Sequence, residues 1–174
     1  MPRLRHWIFD WAETIVVALI LALIIRAFFL QVFWIPSGSM EPSLDISDRI
    51  VVNKVRYYFR PPQRQEVVVF RQVGSIDETK KDLIKRLMGL PGETLQVKNG
   101  IIYTNGKAVV EKHPMNQDFA NFGPVTIPAD AYFVMGDNRP ASADSRYWGF
   151  LPRKNIIGQA FLRIWPITKF GLIP

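Results

Sequence analysis

A long apolar segment near the N-terminus is the first feature of the hydrophobic pattern. Residues 15–25 contain no polar side chain, and the apolar character continues to residue 30 apart from Arg26. As a helix, residues 11–31 would be about 30 Å long, enough to cross a bilayer. Interfacial aromatics are expected near its ends, where the chain has Trp7, Trp11 and Trp34. The pattern predicts a transmembrane helix over residues 11–31, after a tail of residues 1–10.

A cleaved signal peptide is the alternative interpretation, because Arg3 and Arg5 precede a short apolar core. Cleavage would require small residues after the core, whereas Arg26 is followed closely by bulky phenylalanines. The segment is therefore expected to be retained, with the head group of Arg26 reaching an interface. Basic residues are balanced on the two sides, so charge leaves the orientation open.

Short runs of β-forming residues make up the rest of the chain, without any long stretch of helical periodicity. Asn99-Gly100 and Asn105-Gly106 each separate two such runs, which predicts a three-stranded meander over residues 95–110. The fold class is thus mainly β: one N-terminal transmembrane helix followed by an all-β domain, residues 32–174, around one core. Strands are predicted over residues 49–53, 66–70, 82–88, 94–98, 132–135 and 160–165, and loops over residues 60–64, 74–81 and 113–124.

Composition narrows the chemistry that such a domain could perform. The 174 residues include no cysteine and two histidines, which excludes disulfides, cysteine nucleophiles and multi-histidine metal centres. No cofactor is expected, and no metal at a cysteine or multi-histidine site. Acid–base chemistry must rest mainly on carboxylates, lysines, tyrosines and hydroxyls.

The net charge of +7 comes from 22 Lys and Arg against 15 Asp and Glu. Basic residues are interspersed with acidic ones, so nucleic-acid binding is not expected. The one aromatic and basic run, Arg56 to Arg60, is better explained as a strand-to-loop edge. Attraction to anionic headgroups is the favoured use of the charge, with membrane lipid as a partner.

A serine-containing turn follows the apolar segment. Pro36 and Pro42 stiffen it, and Gly38 permits a tight conformation. A serine on such a turn can expose its hydroxyl while backbone N–H groups converge on one point, as a nucleophile with an oxyanion hole requires. The alternative is a polar turn that only connects the helix to the first strand.

A serine nucleophile needs a base, and the sequence offers two kinds. A Ser-His-Asp triad could form only through His113. Its polar neighbours predict a solvated loop residue, whose replacement should have almost no effect on activity. Lys85 alternates with Leu83 and Leu87, so on a strand the three share one face. Burial there would lower the pKa of its amine from about 10.4 and suit it as a base. Alternatively, its stem covers apolar surface while its head reaches water.

A polar loop over residues 136–149 is the third candidate element. Its hydrogen-bonding groups are dense enough for it to fold over a site and hold a lysine amine in position. The alternative is an ordinary Asx-rich loop, with an exposed Asp144–Arg146 pair of little energetic value.

The three segments together resemble the type I signal peptidase family over nearly the whole chain. The resemblance implies a serine endopeptidase with Ser39 as nucleophile and Lys85 as general base, without a histidine or a metal. The motifs that carry it follow the membrane span in the order Ser37-Gly38-Ser39-Met40-x-Pro42, Lys85-Arg86-x-x-Gly89-Leu90-Pro91-Gly92, and Gly136-Asp137-Asn138 through Asp144-Ser145-Arg146.

The resemblance also implies roles for residues around this pair. Ser37 would join the backbone N–H of Ser39 in the oxyanion hole, and Ser142 would orient the lysine amine. The departure from the family pattern is Pro140-Ala141, where relatives often carry Asp-Asn, and it bears on the support of the loop. Charged supporting residues would be Arg86, Asp137, Asp144 and Arg146. Shallow pockets for small side chains would be built by Phe33, Ile35, Pro36, Met40, Leu44, Leu83 and Ile84.

The implied function is removal of signal peptides from exported preproteins, which would be the partners of the enzyme. Family topology places residues 1–10 in the cytoplasm and the catalytic domain on the outer face of the plasma or inner membrane. Two alternatives remain. One is a Ser/Lys peptidase of the self-cleaving repressor type, disfavoured by the membrane span and the lack of a DNA-binding segment. The other is a membrane-tethered β module without turnover, disfavoured by the intact Ser39 and Lys85.

Overall fold

The computed structural model describes residues 11, 13–23, 29–73 and 82–174. Residues 13–23 are helical, with exposed side chains, and are called α1. None of the helices formed by the described residues is both long and apolar enough to cross a membrane. The expectations for residues 1–10, for Arg26 and for the loop at 74–81 lie outside the described residues.

Among the described residues, twelve strands and two short α-helices follow α1. The helices are α2, Arg56–Phe59, and α3, Ser145–Trp148. The strands are β1 Leu30–Trp34, β2 Arg49–Asn53, β3 Val67–Arg71, β4 Asp82–Gly89, β5 Thr94–Lys98, β6 Ile101–Thr104, β7 Lys107–Ala108, β8 Phe122–Thr126, β9 Ala131–Met135, β10 Leu151–Pro152, β11 Ile156–Trp165 and β12 Gly171–Leu172.

The strands form two antiparallel sheets, and the mainly β class is confirmed. The larger sheet has the order β1-β2-β11-β3-β4-β9-β10, with β12 paired to β11, and the smaller has the order β7-β6-β5-β8. In the smaller sheet the predicted meander is present as β5, β6 and β7. Both of its turns have positive φ at the Asn and at the Gly, 47° and 78° at Asn99-Gly100 and 51° and 77° at Asn105-Gly106. This is the turn geometry that suits a two-residue hairpin.

Strands β1 and β8 were not predicted, and β11 begins earlier than predicted. Strand β1 includes residues 30 and 31, which had been assigned to the end of the transmembrane span. Strand β8 lies partly in the predicted loop 113–124, because Gly123 and Pro124 masked its β character. Strand β11 begins at Ile156 rather than at residue 160. Gly158 interrupts the apolar run at the start of this strand. The position requires glycine, because a Cβ there would lie 2.4 Å from the carbonyl oxygen of Asn53.

The described residues form three buried apolar clusters rather than the single core that was predicted. Strand β4 contributes to all of them, through Ile84 in the first, Leu87 in the second and Met88 in the third. The strand is therefore packed on both faces and at its end. Such packing holds its backbone firmly and fixes the positions of the two charged residues in its middle, Lys85 and Arg86.

Candidate active site

The serine-containing turn lies directly after β1. Residues Gly38–Met40 form a short 3-10 turn, and Ser37 before it is extended, with φ −141° and ψ 153°. Met40 is fully buried in the first apolar cluster. Because this side chain is anchored in the core, the turn cannot rotate freely, and Ser39 is held against β4.

Lys85 meets Ser39 from the middle of β4. Its Nζ lies 2.6 Å from the Oγ of Ser39, a hydrogen-bond distance. Lys85 pairs with Val68 of β3 and is only 4% exposed. Its face of the strand also carries Leu83 and Leu87, as the alternation predicted. The alternative in which the lysine head reaches water is therefore wrong, because the amine is buried against the serine.

A cleft of about 720 Å³ opens over this pair. Of the residues predicted to build substrate pockets, Pro36, Leu83 and Ile84 line the cleft. Phe33 and Ile35 line a smaller pocket of about 30 Å³ beside it. Residues that the pattern missed also line the cleft, namely Trp34, Glu41, Ile46, Asp82, Asn138, Ala141 and Ala143.

Met40 and Leu44 were also expected in the pocket walls, but both are fully buried in the first apolar cluster. Neither is among the residues that line the cleft or the smaller pocket. Their place is beneath the site, where they support the turn from below.

The polar loop over residues 136–149 holds the turn from the other side. The backbone N–H of Asn138 donates to the carbonyl oxygen of Ser39 at 3.1 Å, and its side-chain amide donates to that of Gly38 at 2.9 Å. A Cβ on Gly136 would lie 2.4 Å from the carbonyl oxygen of Ser39. The loop thus packs closely against the turn that carries the serine, with Asn138 bonded to two of its carbonyls.

The two accessory serines differ in their surroundings. Ser37 is exposed, lines the cleft and makes no capping hydrogen bond with its side chain. Ser142 is buried beside Gly136, and its Oγ has no hydrogen-bond partner among the described residues. The contact between Ser142 and the lysine amine that the resemblance implies is therefore not made in this structure.

The charged supporting residues form buried ion pairs. Arg86 binds Asp137 in a bidentate manner, with Nε to Oδ1 at 2.8 Å and Nη2 to Oδ2 at 2.7 Å. Arg146 binds Asp144 through Nε at 2.8 Å and Nη2 at 2.9 Å, and it binds Asp118 through Nη1 at 2.7 Å. The Asp144 and Arg146 side chains are 0% and 6% exposed, so the alternative of an exposed pair is wrong.

These contacts shape the local electrostatics and the loop. Burial alone would lower the pKa of Arg146, but its hydrogen bonds with Asp144 and Asp118 outweigh burial and raise it. Asp144 also accepts a hydrogen bond from the backbone N–H of Gly136 at 3.0 Å. The Asp144 carboxylate therefore binds Gly136 near one end of the loop and Arg146 near the other. The unusual Pro140-Ala141 lies in a short turn closed by a hydrogen bond from the Ala141 N–H to the Asn138 carbonyl at 3.0 Å.

His113 is buried, contrary to the prediction of a solvated residue. Its side chain is 1% exposed, and its Nε2 lies 3.4 Å from the Oε1 of Glu111 and 3.5 Å from the Oδ1 of Asp137. Glu111 also forms an ion pair with Arg139. The polar neighbours of His113 in the sequence suggested that it would be exposed to solvent. In the fold, distant parts of the chain supply the groups that contact this segment and bury His113.

The arrangement suits nucleophilic chemistry. A serine hydroxyl in contact with a buried amine at the floor of an open cleft can lose its proton to that amine when the amine is neutral. Within the described parts of the chain, no group of three or more acidic or histidine side chains is arranged to hold a metal ion.

Comparison with known proteins identifies the family. The model of the signal peptidase family, peptidase S26, matches residues 8–165. The probable signal peptidase I-2 of Synechocystis sp. is 43% identical over 174 residues, covering 99% of this chain and 79% of that protein. The signal peptidase I of Leptolyngbya laminosa is 40% identical over 174 residues, covering 98% and 86%. A crystal structure of signal peptidase I from Enterococcus faecalis covers 56% of this chain and 95% of its own, with 30% identity and a TM-score of 0.46. The resemblance carried by the motifs is confirmed, and the chain belongs to the signal peptidase family, peptidase S26.

Proposed function

We propose that this protein is a membrane-anchored serine endopeptidase that removes signal peptides from exported preproteins, with Ser39 as nucleophile and Lys85 as general base. The observation that carries the proposal is the 2.6 Å contact between the Lys85 amine and the Ser39 hydroxyl. Burial penalises the charged form of an amine, so it favours the neutral form that can accept a proton.

The reaction follows from this contact. The Oγ of Ser39 attacks the scissile carbonyl carbon while its proton passes to the Nζ of Lys85. The amine leaving group takes that proton as the C–N bond breaks, and an acyl-enzyme remains. Lys85 then accepts a proton from water as the water oxygen attacks the ester, and the proton returns to Ser39 as its oxygen leaves.

Ser37 and the backbone N–H of Ser39 are proposed as the donors to the oxyanion. Support comes from the uncapped side chain of Ser37 at the edge of the cleft and from its extended backbone. A hydroxyl so placed could turn toward the developing charge, and a charge-assisted hydrogen bond is stronger than a neutral one.

Small side chains on either side of a spacer residue are the proposed substrate preference. The pocket of about 30 Å³ lined by Phe33, Ile35 and Ile84 has little room for a large side chain. Because a rigid wall rejects bulky residues by steric clash, such a pocket selects against them as well as for small ones.

The localisation is proposed to be the plasma or inner membrane, with a single anchor and the catalytic domain on the extracytoplasmic face. Support comes from the apolar sequence around α1 and from exposed apolar side chains of β1, including Val32 and Trp34. The net charge of +7 favours anionic lipid headgroups. Nucleic acid is not a proposed partner, since basic residues are interspersed with acidic ones.

The experiment is cleavage of a signal-peptide-bearing preprotein by the full chain in detergent, with the cut located by mass spectrometry. We expect Ser39→Ala to abolish cleavage while the protein stays folded by circular dichroism. Ser47→Ala changes an exposed serine in the following segment and should retain activity. Cleavage by Ser39→Ala at the wild-type rate would refute the nucleophile assignment.

A further inference from the structure

Two buried ion pairs lie next to each other behind the loop that holds the serine turn. One joins Arg86 of β4 to Asp137 of the loop, with side chains 1% and 0% exposed. The other joins Arg139 of the loop to Glu111, with side chains 1% and 6% exposed. The loop is thus fastened at Asp137 to the lysine-bearing strand and at Arg139 to the segment after β7.

His113 lies between the two carboxylates of these pairs. One nitrogen, Nε2, faces an oxygen of Glu111 at 3.4 Å and an oxygen of Asp137 at 3.5 Å. Burial alone would raise the pKa of Glu111, but the nearby His113 and Arg139 side chains outweigh burial and lower it. The charged groups next to the imidazole are those two carboxylates, whose ion-pair partners are Arg86 and Arg139.

Backbone contacts tie the same segment to the loop. The N–H of Asn116 donates to the Asp137 carbonyl at 2.9 Å, and the Arg139 N–H donates to the Asn116 carbonyl at 3.0 Å. The Oγ of Ser43 donates to the carbonyl of Pro114 at 3.0 Å. The segment over residues 111–116 therefore contacts both the loop and the chain that follows the serine turn.

We propose that His113 is a positioning residue of the active site, an inference that rests on the proposed function. Its Nε2 lies 3.4 Å from Glu111 and 3.5 Å from Asp137 and forms a hydrogen bond with neither among the described residues. A proton on this nitrogen attracts both carboxylates and so links the two ion pairs into one brace behind residues 136–139. The brace holds residues 136–139 in position, and these residues hold the serine turn through the two hydrogen bonds from Asn138. His113 does not touch the reacting atoms in this mechanism and acts through Asp137.

The physical reason is the repulsion between two buried carboxylates. Each has an arginine on one side, but oxygens of both face the same imidazole nitrogen. An N–H between them attracts both, whereas an apolar side chain of similar size would leave them facing each other across a medium that screens charge poorly. Asp137 would then shift, and the shift would pass through the backbone to Asn138 and Ser39.

The test compares His113→Gln, which keeps an N–H donor at nearly the same reach, with His113→Leu, which keeps volume but removes the donor. We expect His113→Leu to lower kcat by about tenfold to 100-fold, the range for a small misplacement of catalytic groups, with KM nearly unchanged. His113→Gln should restore most of kcat. Equal kcat in all three proteins, or equal losses in both variants, would overturn the proposal.

A matched control separates positioning from loss of stability. Ile102 is fully buried in the third apolar cluster and lies outside the brace, so Ile102→Val should lower the unfolding temperature without lowering kcat. If His113→Leu proves too unstable to assay, His113→Ala is combined with Glu111→Gln in a double-mutant cycle. The losses in kcat should be non-additive, and additive losses would overturn the proposal.

Failure of the proposed function gives a different result. Each variant is also prepared with Ser39→Ala. Activity that survives this change would refute the Ser/Lys mechanism, whereas Ser39-dependent activity with an unchanged kcat in His113→Leu would refute only the role of His113.

Discussion

At the scale of single residues, Lys85 is the group whose chemistry depends most on its surroundings. It is 4% exposed and its amine contacts Ser39. Because burial favours the neutral amine, we expect the pKa of Lys85 to lie well below the ~10.4 of a free lysine. The kcat/KM of the wild-type enzyme should then rise with pH, with a midpoint below that value.

The Lys85→Arg variant tests this assignment. A guanidinium keeps the charge and much of the stem but cannot be deprotonated in a protein, so we expect no cleavage at any pH. Lys54→Arg, outside the motifs, should be active. Substantial cleavage by a folded Lys85→Arg enzyme, with circular dichroism matching wild type, would mean that another group takes the serine proton.

The Ser37→Ala variant tests the oxyanion hole. We expect kcat to fall by about 10²–10³, the usual loss for one donor, with KM changed little because the ground-state carbonyl needs that donor less. Steady-state kinetics on a peptide substrate would measure both constants. A wild-type kcat would remove Ser37 from the oxyanion hole.

The sequence predicted some of these residues better than others, for physical reasons. The burial of Lys85 was one of two alternatives that its local alternation with Leu83 and Leu87 allowed, and its role as base came from the family resemblance. The burial of His113 was not predicted, because the groups that bury it come from Asp137 and other distant positions. Short-range patterns show which face a side chain occupies, but not what the rest of the chain places against that face.

At the scale of elements, the close packing of the polar loop on the serine turn predicts a strong effect of Gly136→Ala. The added Cβ would lie 2.3 Å from the Oγ of Ser142 and 2.4 Å from the carbonyl oxygen of Ser39. Since the second atom is backbone, the loop must move, and overpacking of this kind costs about 1–3 kcal/mol.

We therefore expect Gly136→Ala to be folded but to have a much lower kcat. Gly171→Ala is the control, because a Cβ there meets nothing within 4 Å. Thermal unfolding and peptide cleavage would be measured on both variants. Unchanged kcat in Gly136→Ala would mean that the position of the loop does not limit the reaction.

Elements were predicted well where turn chemistry is strong. The Asn-Gly pairs gave the meander its register, since few other residues adopt the positive φ that both turn positions require. Strand β8 was missed because two turn-forming residues lie inside it, and β1 because its apolar residues continue the run before it. In both cases the strand pairing, with β5 and with β2, overrides the local signal.

At the scale of the whole molecule, the buried charges make stability depend on pH. Burial alone would raise the pKa of Glu111, but the nearby Arg139 and His113 side chains outweigh burial and hold it below its ordinary value of 4.5 in the folded protein. A carboxyl with a lowered pKa stabilises the fold at pH values above its unfolded pKa. That contribution is lost as the pH falls from about 4.5 toward the folded pKa.

Glu111→Gln should therefore be less stable than wild type at pH 7, and the difference should shrink as the solution is acidified below pH 4.5. Denaturant unfolding at a series of pH values would measure this difference in the free energy of unfolding. Asp130→Asn, an exposed position, should give a small difference at all pH values. A difference that stays constant across the acidic range would contradict the charge of Glu111 as its source.

The separation of the site residues along the chain has a consequence for biosynthesis. Ser39 and Lys85 are 46 positions apart, and Asn138 lies 100 positions after the glycine whose carbonyl it binds. Ser39 is therefore synthesised early, and Asn138, which supports the turn that carries it, is synthesised late. We expect a nascent chain to have no hydrolytic activity until residue 144 has left the ribosome and the polar loop can pack on the serine turn.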